Sequence, residues 1–219
     1  MDVPLLVSIQ VGLPRQLGTE DAADPMEQPW TSGFFKEPIT GSVYLGKTNL
    51  VGDGQADLNL HGGIEKAVLA YAATHYPKWQ QELHLPDFTC GAFGENFTVA
   101  HQSEEDVCIG DIYRIGEAQV QVSQPREPCW KLARRWRMKD LPKRAIANGR
   151  LGWYFRVLTE GIVESGLPLI LVERPLPQWS VARVNNAFYR GQEDSSELAS
   201  CPLLSASWKR YFLTRSSKN

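Results

Sequence analysis

IYRIGEAQVQVS, residues 112–123, decides the architecture of this chain. Two β-type runs flank a tight Gly116-Glu117 turn, and the second run, Ala118 to Ser123, alternates apolar and polar side chains with a period of two. A helix does not keep that period. Short runs of the same kind recur at LLVSIQV (5–11), GSVYLG (41–46), AVLAYA (67–72), ENFTVA (95–100), AQVQVSQ (118–124) and PLILVER (168–174), with Gly-rich punctuation between them. Short strands at such spacing predict a mainly β fold, either a barrel or a sandwich.

Not every segment obeys one period. AVLAYA reads as a strand, yet Ile64, Ala67, Val68, Tyr71 and Ala72 also fit a helical stripe, so pattern alone leaves it open. THYPKWQQEL predicts a helix over 74–83 capped by Thr74, and GTEDAADPMEQPWTS (18–32) predicts a long mobile loop. Beyond Pro175 and Pro177 the β signal fades. VARVNNAFYR, SSELAS and SASWKRYFLTR read as three short helices, which divides the chain into a β domain at 1–174 and a small helical domain at 178–219.

Composition bounds the function. The 219 residues are 42% apolar, enough for a full core, and no window approaches the ~18 consecutive apolar residues of a membrane span. MDVPLLVSIQ lacks the basic start and long apolar run of a signal peptide, so the expected address is the cytoplasm, with no membrane partner. A net charge of −2 argues against an open nucleic-acid-binding surface. Four cysteines, at 90, 108, 129 and 201, form no CxxC pair and suggest neither a disulfide framework nor a zinc site.

One cysteine stands out by its neighbours. In QPREPCWKLARRWRMKD (124–140), Pro125 and Pro128 end the preceding strand and allow a helix to begin, with Pro128 as its first residue. Cys129, Leu132, Ala133 and Trp136 then share one apolar face, which places the thiol in the first helical turn, pointing inward. Between Arg126 and Arg150 nine Lys or Arg residues face only two acids, Glu127 and Asp140. Unpaired N–H groups of a helix start, together with Arg126 and Lys131, favour a thiolate. The same residues are compatible with Cys129 as a small hydrophobe at a strand–helix junction. Cys90, Cys108 and Cys201 lack neighbouring cations of this kind and read as packed thiols.

Two further motifs have the composition of a binding site. In GDGQADLNLHGGIEKAV (52–68), His61 followed by Gly62 and Gly63 lets backbone approach an anion while Lys66 supplies charge, although HGG also marks ordinary tight turns. It is not a P-loop, because GxxxxGK[ST] is absent. In GAFGENFTV (91–99), Asn96 beside a glycine turn can pair with a heterocycle edge or cap its own turn.

HGGIEKAV, GAFGEN and VSQPREPCWKL occur in that order, followed by GWYFRVLTEGIVESG. Together they resemble the MOSC-domain family, named after the C-terminal domain of molybdenum cofactor sulfurases, in its YiiM type. The resemblance covers about residues 30–173 as the barrel and about 178–215 as a three-helix extension. It implies a β-barrel in which AVLAYA is a strand, and a molybdenum–pterin cofactor whose metal is held by the thiolate of Cys129. It implies reduction of small N-hydroxylated compounds, hydroxylamino-purines and amidoximes among them. Arg126, Lys66, the His61-Gly62-Gly63 turn and Lys36 in SGFFKEPITG are the candidates for the cofactor's phosphate, Asn96 for the pterin edge, and His61 for proton delivery as water departs. No GxGxxG fingerprint or iron–sulfur cysteine cluster is present, so electrons are expected from an external donor protein. The helical tail is a candidate surface for that donor or for a second copy of the chain, and equally a brace for the barrel. Two readings compete: a sulfur carrier holding a persulfide on Cys129, and a cysteine hydrolase pairing Cys129 with His61.

Overall fold

The computed structural model describes residues 2–191 and 195–216. Twelve strands are present among them: β1 (Leu5–Val11), β2 (Arg15–Leu17), β3 (Trp30–Ser32), β4 (Glu37–Pro38), β5 (Ser42–Leu45), β6 (Val68–Ala72), β7 (Phe97–Ala100), β8 (Ile112–Ile115), β9 (Ala118–Pro125), β10 (Trp153–Thr159), β11 (Gly161–Glu164) and β12 (Ile170–Glu173). Eight of them form one sheet in the order β12-β8-β9-β10-β6-β7-β1-β4, and β11 with β5 and β2 with β3 form two small ribbons. The 112–123 run forms the β8–β9 hairpin, with Ile115 opposite Ala118 across the Gly116-Glu117 turn. AVLAYA is a strand, buried along its whole length, antiparallel to β10 and parallel to β7. The helical stripe in its sequence is the trace of full burial, which erases the period of two.

The sheet curls back on itself. Leu6 N–H donates to Leu167 O at 2.9 Å, Gly166 N–H to Leu6 O at 2.7 Å and Leu169 N–H to Pro4 O at 2.8 Å, tying the approach to β12 onto the start of β1. The inward side chains fill the interior: Ile9, Phe97, Val120, Val122, Trp153 and Phe155 are all fully buried. A filled interior identifies a packed barrel rather than a channel.

Among the described residues seven α-helices decorate it: α1 (Leu58–His61), α2 (Tyr76–Leu83), α3 (Trp130–Trp136), α4 (Leu141–Asn148), α5 (Val181–Tyr189), α6 (Ser196–Ser200) and α7 (Ala206–Ser216). The expected helix at 74–83 begins later, because Ala73–His75 forms a 3-10 turn; His75, not Thr74, occupies the cap position of α2, and no side chain caps it. The three C-terminal helices appear where the sequence predicts them; residues 192–194 and 217–219 of that segment lie outside the described residues. Their apolar side chains Val184, Leu198, Trp208 and Phe212 join the same buried cluster as Val120, Trp153 and Phe155 of the barrel. A second cluster, around Trp79, Phe88, Phe93, Leu132 and Leu141, seats α2, α3 and α4 beside the barrel mouth.

The 18–32 segment departs from a simple loop. Its end is β3, paired with β2 through Leu17 opposite Trp30, and Arg134 of α3 donates to Met26 O at 3.0 Å and to Gln28 O. The polar composition that suggested mobility supplies the carbonyls and the Glu27 carboxylate that α3 grips, the latter through Arg137.

Candidate functional site

β9 ends at Pro125, and the chain crosses the barrel mouth as Arg126-Glu127-Pro128-Cys129 before α3 begins at Trp130. Pro128 is therefore not the first helical residue. Cys129 is the N-cap, with extended backbone (φ −97°, ψ 168°) and no side-chain capping bond. Pro128 biases Glu127 before it toward extended backbone, and Cys129 is extended as well, so helical torsions begin at Trp130. Cys129 is half-buried and lines an open cleft.

That cleft lies open at the barrel mouth. Cys129, Arg126, His61, Lys66, Lys36 and Asn96 all line it, so residues spread over 94 positions of sequence converge on one space. Gly62 and Gly63 do not belong to its wall: the lining runs from His61 to Lys66 and leaves the glycine pair outside. Tyr154 of β10, Lys131, Glu127, Phe34 and Phe93 also line it. Gly94 holds the floor close to the hairpin, since it has a positive φ of 73° and a Cβ there would meet the Phe34 ring at 2.9 Å.

Arg126 is the most unusual of these side chains. It is 3% exposed, one terminal nitrogen donates to Phe93 O at 3.1 Å, and Nη1 has no hydrogen-bond partner among the described residues. The guanidinium lies 5.5 Å from the Phe93 ring centroid and 6.0 Å from that of Phe34. A buried cation so poorly paired is costly, and an anion seated in the cleft is the partner that would satisfy it. Lys66 stands 5.9 Å from the Tyr154 ring. Burial raises the Tyr154 hydroxyl to about 12, so this group keeps its proton throughout the physiological range. The His61 imidazole is pushed below its ordinary value, first by burial and then by Lys131, Lys66 and Arg126. At neutral pH it is uncharged.

Lys36 and Asn96 have other commitments. Asp53, buried at the same mouth, pairs with the Lys36 ammonium and accepts from Asn96 Nδ2 at 2.9 Å and from Gly12 N–H at 2.9 Å. Burial lowers the Lys36 pKa and Asp53 partly restores it. Asn96 also donates to Gln10 O at 3.2 Å and accepts from Leu69 N–H at 3.2 Å, so both its amide hydrogens serve the scaffold. Its neighbour Glu95 is fully buried and accepts from Gly91 N–H, Phe93 N–H, Thr98 and Tyr76, which makes GAFGEN a self-capped turn. Tyr154, which sequence reading did not single out, was marked only by its place in GWYFRV, whose strand period and pairing with Gln124 turn the ring toward the mouth.

Residues 57–169 match the MOSC domain, and residues 179–218 match the YiiM-like, 3-alpha helix domain. YflK of Bacillus subtilis (strain 168) is 43% identical over 190 residues, 85% of this chain and 86% of that protein. A protein named "Reductase" from Gibberella moniliformis (strain M3125 / FGSC 7600) is 41% identical over 177 residues, 80% of this chain but 31% of that longer protein. The crystal structure of YiiM from Geobacillus stearothermophilus superimposes with a TM-score of 0.79 at 40% identity, covering 97% of this chain and 98% of the other.

Proposed function

This chain belongs to the MOSC domain family, with the YiiM-like three-helix domain at its C-terminal side, and on that premise we propose that it is a molybdenum-cofactor-dependent reductase of small N-hydroxylated compounds. One observation carries the reading: a half-buried thiol, Cys129, and a buried, incompletely paired cation, Arg126, line the same cleft. A soft thiolate suits molybdenum, and a guanidinium suits a phosphate. Among the described residues no group of three or more His, Cys, Asp or Glu is arranged to hold a metal by itself. A metal held chiefly by its own pterin and anchored by a single protein thiolate fits this wall.

In this assignment Cys129 Sγ would be the protein ligand to molybdenum, while Arg126, Lys66 and Lys131 would hold the cofactor's phosphate. The cofactor, when bound, supplies the two-electron reducing power for the N–O bond. The chain's own residues handle charge and protons. N–OH becomes N–H with release of water, consuming two electrons and two protons; the electrons come from an external redox protein, the protons from solvent through groups lining the cleft. Neutral His61 accepts or relays a proton and becomes a better donor once an anion offsets the three cations around it. Tyr154 keeps its hydroxyl proton and serves as a hydrogen-bond donor. Lys36, Asp53 and Asn96 hold the strands and turn that frame the mouth.

The test is turnover. Protein loaded with cofactor in a producing host, given an artificial electron donor, is expected to convert benzamidoxime to benzamidine, and Cys129→Ala to lose more than about 99% of that rate, since the metal is unanchored. Unchanged turnover in Cys129→Ala would remove Cys129 from the chemistry.

A further inference from the structure

A second cleft lies between the barrel and the C-terminal helices, and it shares no lining residue with the cleft of Cys129. Its wall combines the 3-10 turn before α2, the segment after β7, the end of α4 and part of α5. Junctions of this kind are preferred places for small-molecule sites. Three polar side chains of the wall, His75, Gln102 and Asn185, are each more than nine-tenths buried. All carry atoms without a hydrogen-bond partner among the described residues: His75 Nδ1, Gln102 Oε1, and both Oδ1 and Nδ2 of Asn185. Leaving even one such group unpaired is costly, and here they gather in one wall.

None of these atoms belongs to a group of fixed charge. His75 Nε2 lies 2.7 Å from Glu104 Oε2, so in the neutral ring it carries the proton and Nδ1 is an acceptor. Gln102 Nε2 donates to Tyr113 OH at 2.9 Å, which leaves Oε1 as its open atom. Together with Asn185 the wall offers three acceptors and one donor. Its buried carboxylate is committed, since Glu104 also accepts from Leu151 N–H at 2.9 Å and Gly152 N–H at 2.7 Å. Asp106 accepts from the Ser103 N–H and hydroxyl, and Arg190 donates to Ala147 O at 3.0 Å. Lys78 and Glu105 are exposed and opposite in sign, so the wall favours neither charge.

We propose that this cleft is a second ligand site, independent of the cleft of Cys129, for a neutral molecule bearing a primary carboxamide. The amide oxygen accepts from Asn185 Nδ2, and the two amide hydrogens go to Asn185 Oδ1 and to His75 Nδ1 or Gln102 Oε1. Other groups fit less well. A carboxylate brings only acceptors to a wall that is mostly acceptor, an ammonium leaves Asn185 Nδ2 unpaired, and a hydroxyl has a single hydrogen to give. Tyr189, Ile146 and Ala182 supply apolar surface for the group that carries the amide.

Calorimetric titration of the full chain with benzamide tests this without reference to turnover. Saturable binding is expected, and N,N-dimethylbenzamide, which keeps the ring but loses both N–H groups, is expected to bind at least about tenfold more weakly. Asn185→Leu is expected to weaken benzamide binding to the same extent while melting no lower than the parent, because it removes two unpaired polar atoms. Arg126→Met, which alters the first cleft, is expected to keep it. If Asn185→Leu melts lower, the two amides compared in the parent and in Arg126→Met still decide. No binding of benzamide, or equal affinity for both amides, overturns the proposal and leaves ordered water as the partner of the buried atoms. Binding lost in Arg126→Met and kept in Asn185→Leu overturns it as well, because benzamide then sits beside Cys129.

Discussion

Arg126 and His61 show how single residues in the cleft are left out of balance in the free protein. Arg126 carries a buried charge whose Nη1 has no partner among the described residues. Replacing it with Met removes that cost while keeping the bulk, so calorimetry of cofactor-free Arg126→Met is expected to give a melting temperature equal to or above the parent's, whereas its affinity for a phosphate-bearing pterin falls at least about tenfold. A strongly lowered melting temperature would mean the guanidinium is structural. His61 titrates below its ordinary 6.5 because it is buried among Lys131, Lys66 and Arg126. Between that lowered value and 6.5 the unfolded chain binds more protons, so this group's contribution to stability rises with pH through the window, is complete above 6.5 and is lost as pH falls through the folded-state value. A histidine NMR titration is expected to place His61 below 6.5 and to move it upward when phosphate is added; a value above 6.5 without ligand contradicts the electrostatics described. Much of this was legible in the sequence. Cys129 and Arg126 were marked by residue type amid unusual local charge, and His61 and Lys66 by a His-Gly-Gly turn followed by a lysine. Asn96 and Lys36 were read as facing a ligand because their shared partner, Asp53, lies 43 and 17 residues away and only the fold brings it near.

At the scale of elements, α3 does two things: its start exposes Cys129 and Trp130, and its basic face clamps the β2–β3 hairpin. Arg134 links Met26 O and Gln28 O to the Trp30 and Trp130 rings. Arg134→Ala is expected to raise amide hydrogen exchange at 26–30 at least about tenfold while leaving β9 and β10 protected, because the bonds removed are local. Exchange that rises equally across the barrel would show α3 to be part of its general stability. The hairpin was missed in the sequence because three-residue strands carry almost no periodic signal, and its stabilising arginine lies more than a hundred positions away. β10 was missed for a different reason. WYFRVLT is buried at four of its first five positions, and a central strand paired on both sides loses the alternation that made β9 plain. The prolines at 125 and 128 were read correctly as ending the strand, but the helix start was placed two residues early.

Across the whole molecule, the C-terminal helices and the barrel share one interior. Trp208 of α7 is 1% exposed and belongs to the cluster that contains Trp153 and Phe155 of β10. Trp208→Ala is expected to cost about 3–5 kcal/mol and to lower one cooperative transition, seen alike by near-ultraviolet and far-ultraviolet circular dichroism. Two separated transitions would instead make the helices an independent unit. The architecture was largely legible, since seven of the expected strands and all three terminal helices occur; closure of the sheet through Leu6 and Leu167 was not, because it depends on contacts 161 residues apart. Sheet order sets β9, β10 and β6 side by side, and their ends meet at one mouth, where thiol and cations lie. The most direct test of the central claim is the molybdenum and pterin content of the parent and Cys129→Ala proteins, purified anaerobically from a cofactor-producing host. About one molybdenum per chain in the parent and little in the variant is the predicted result. Metal and pterin absent from both, with persulfide recovered on Cys129, would contradict the reductase account and identify a sulfur carrier.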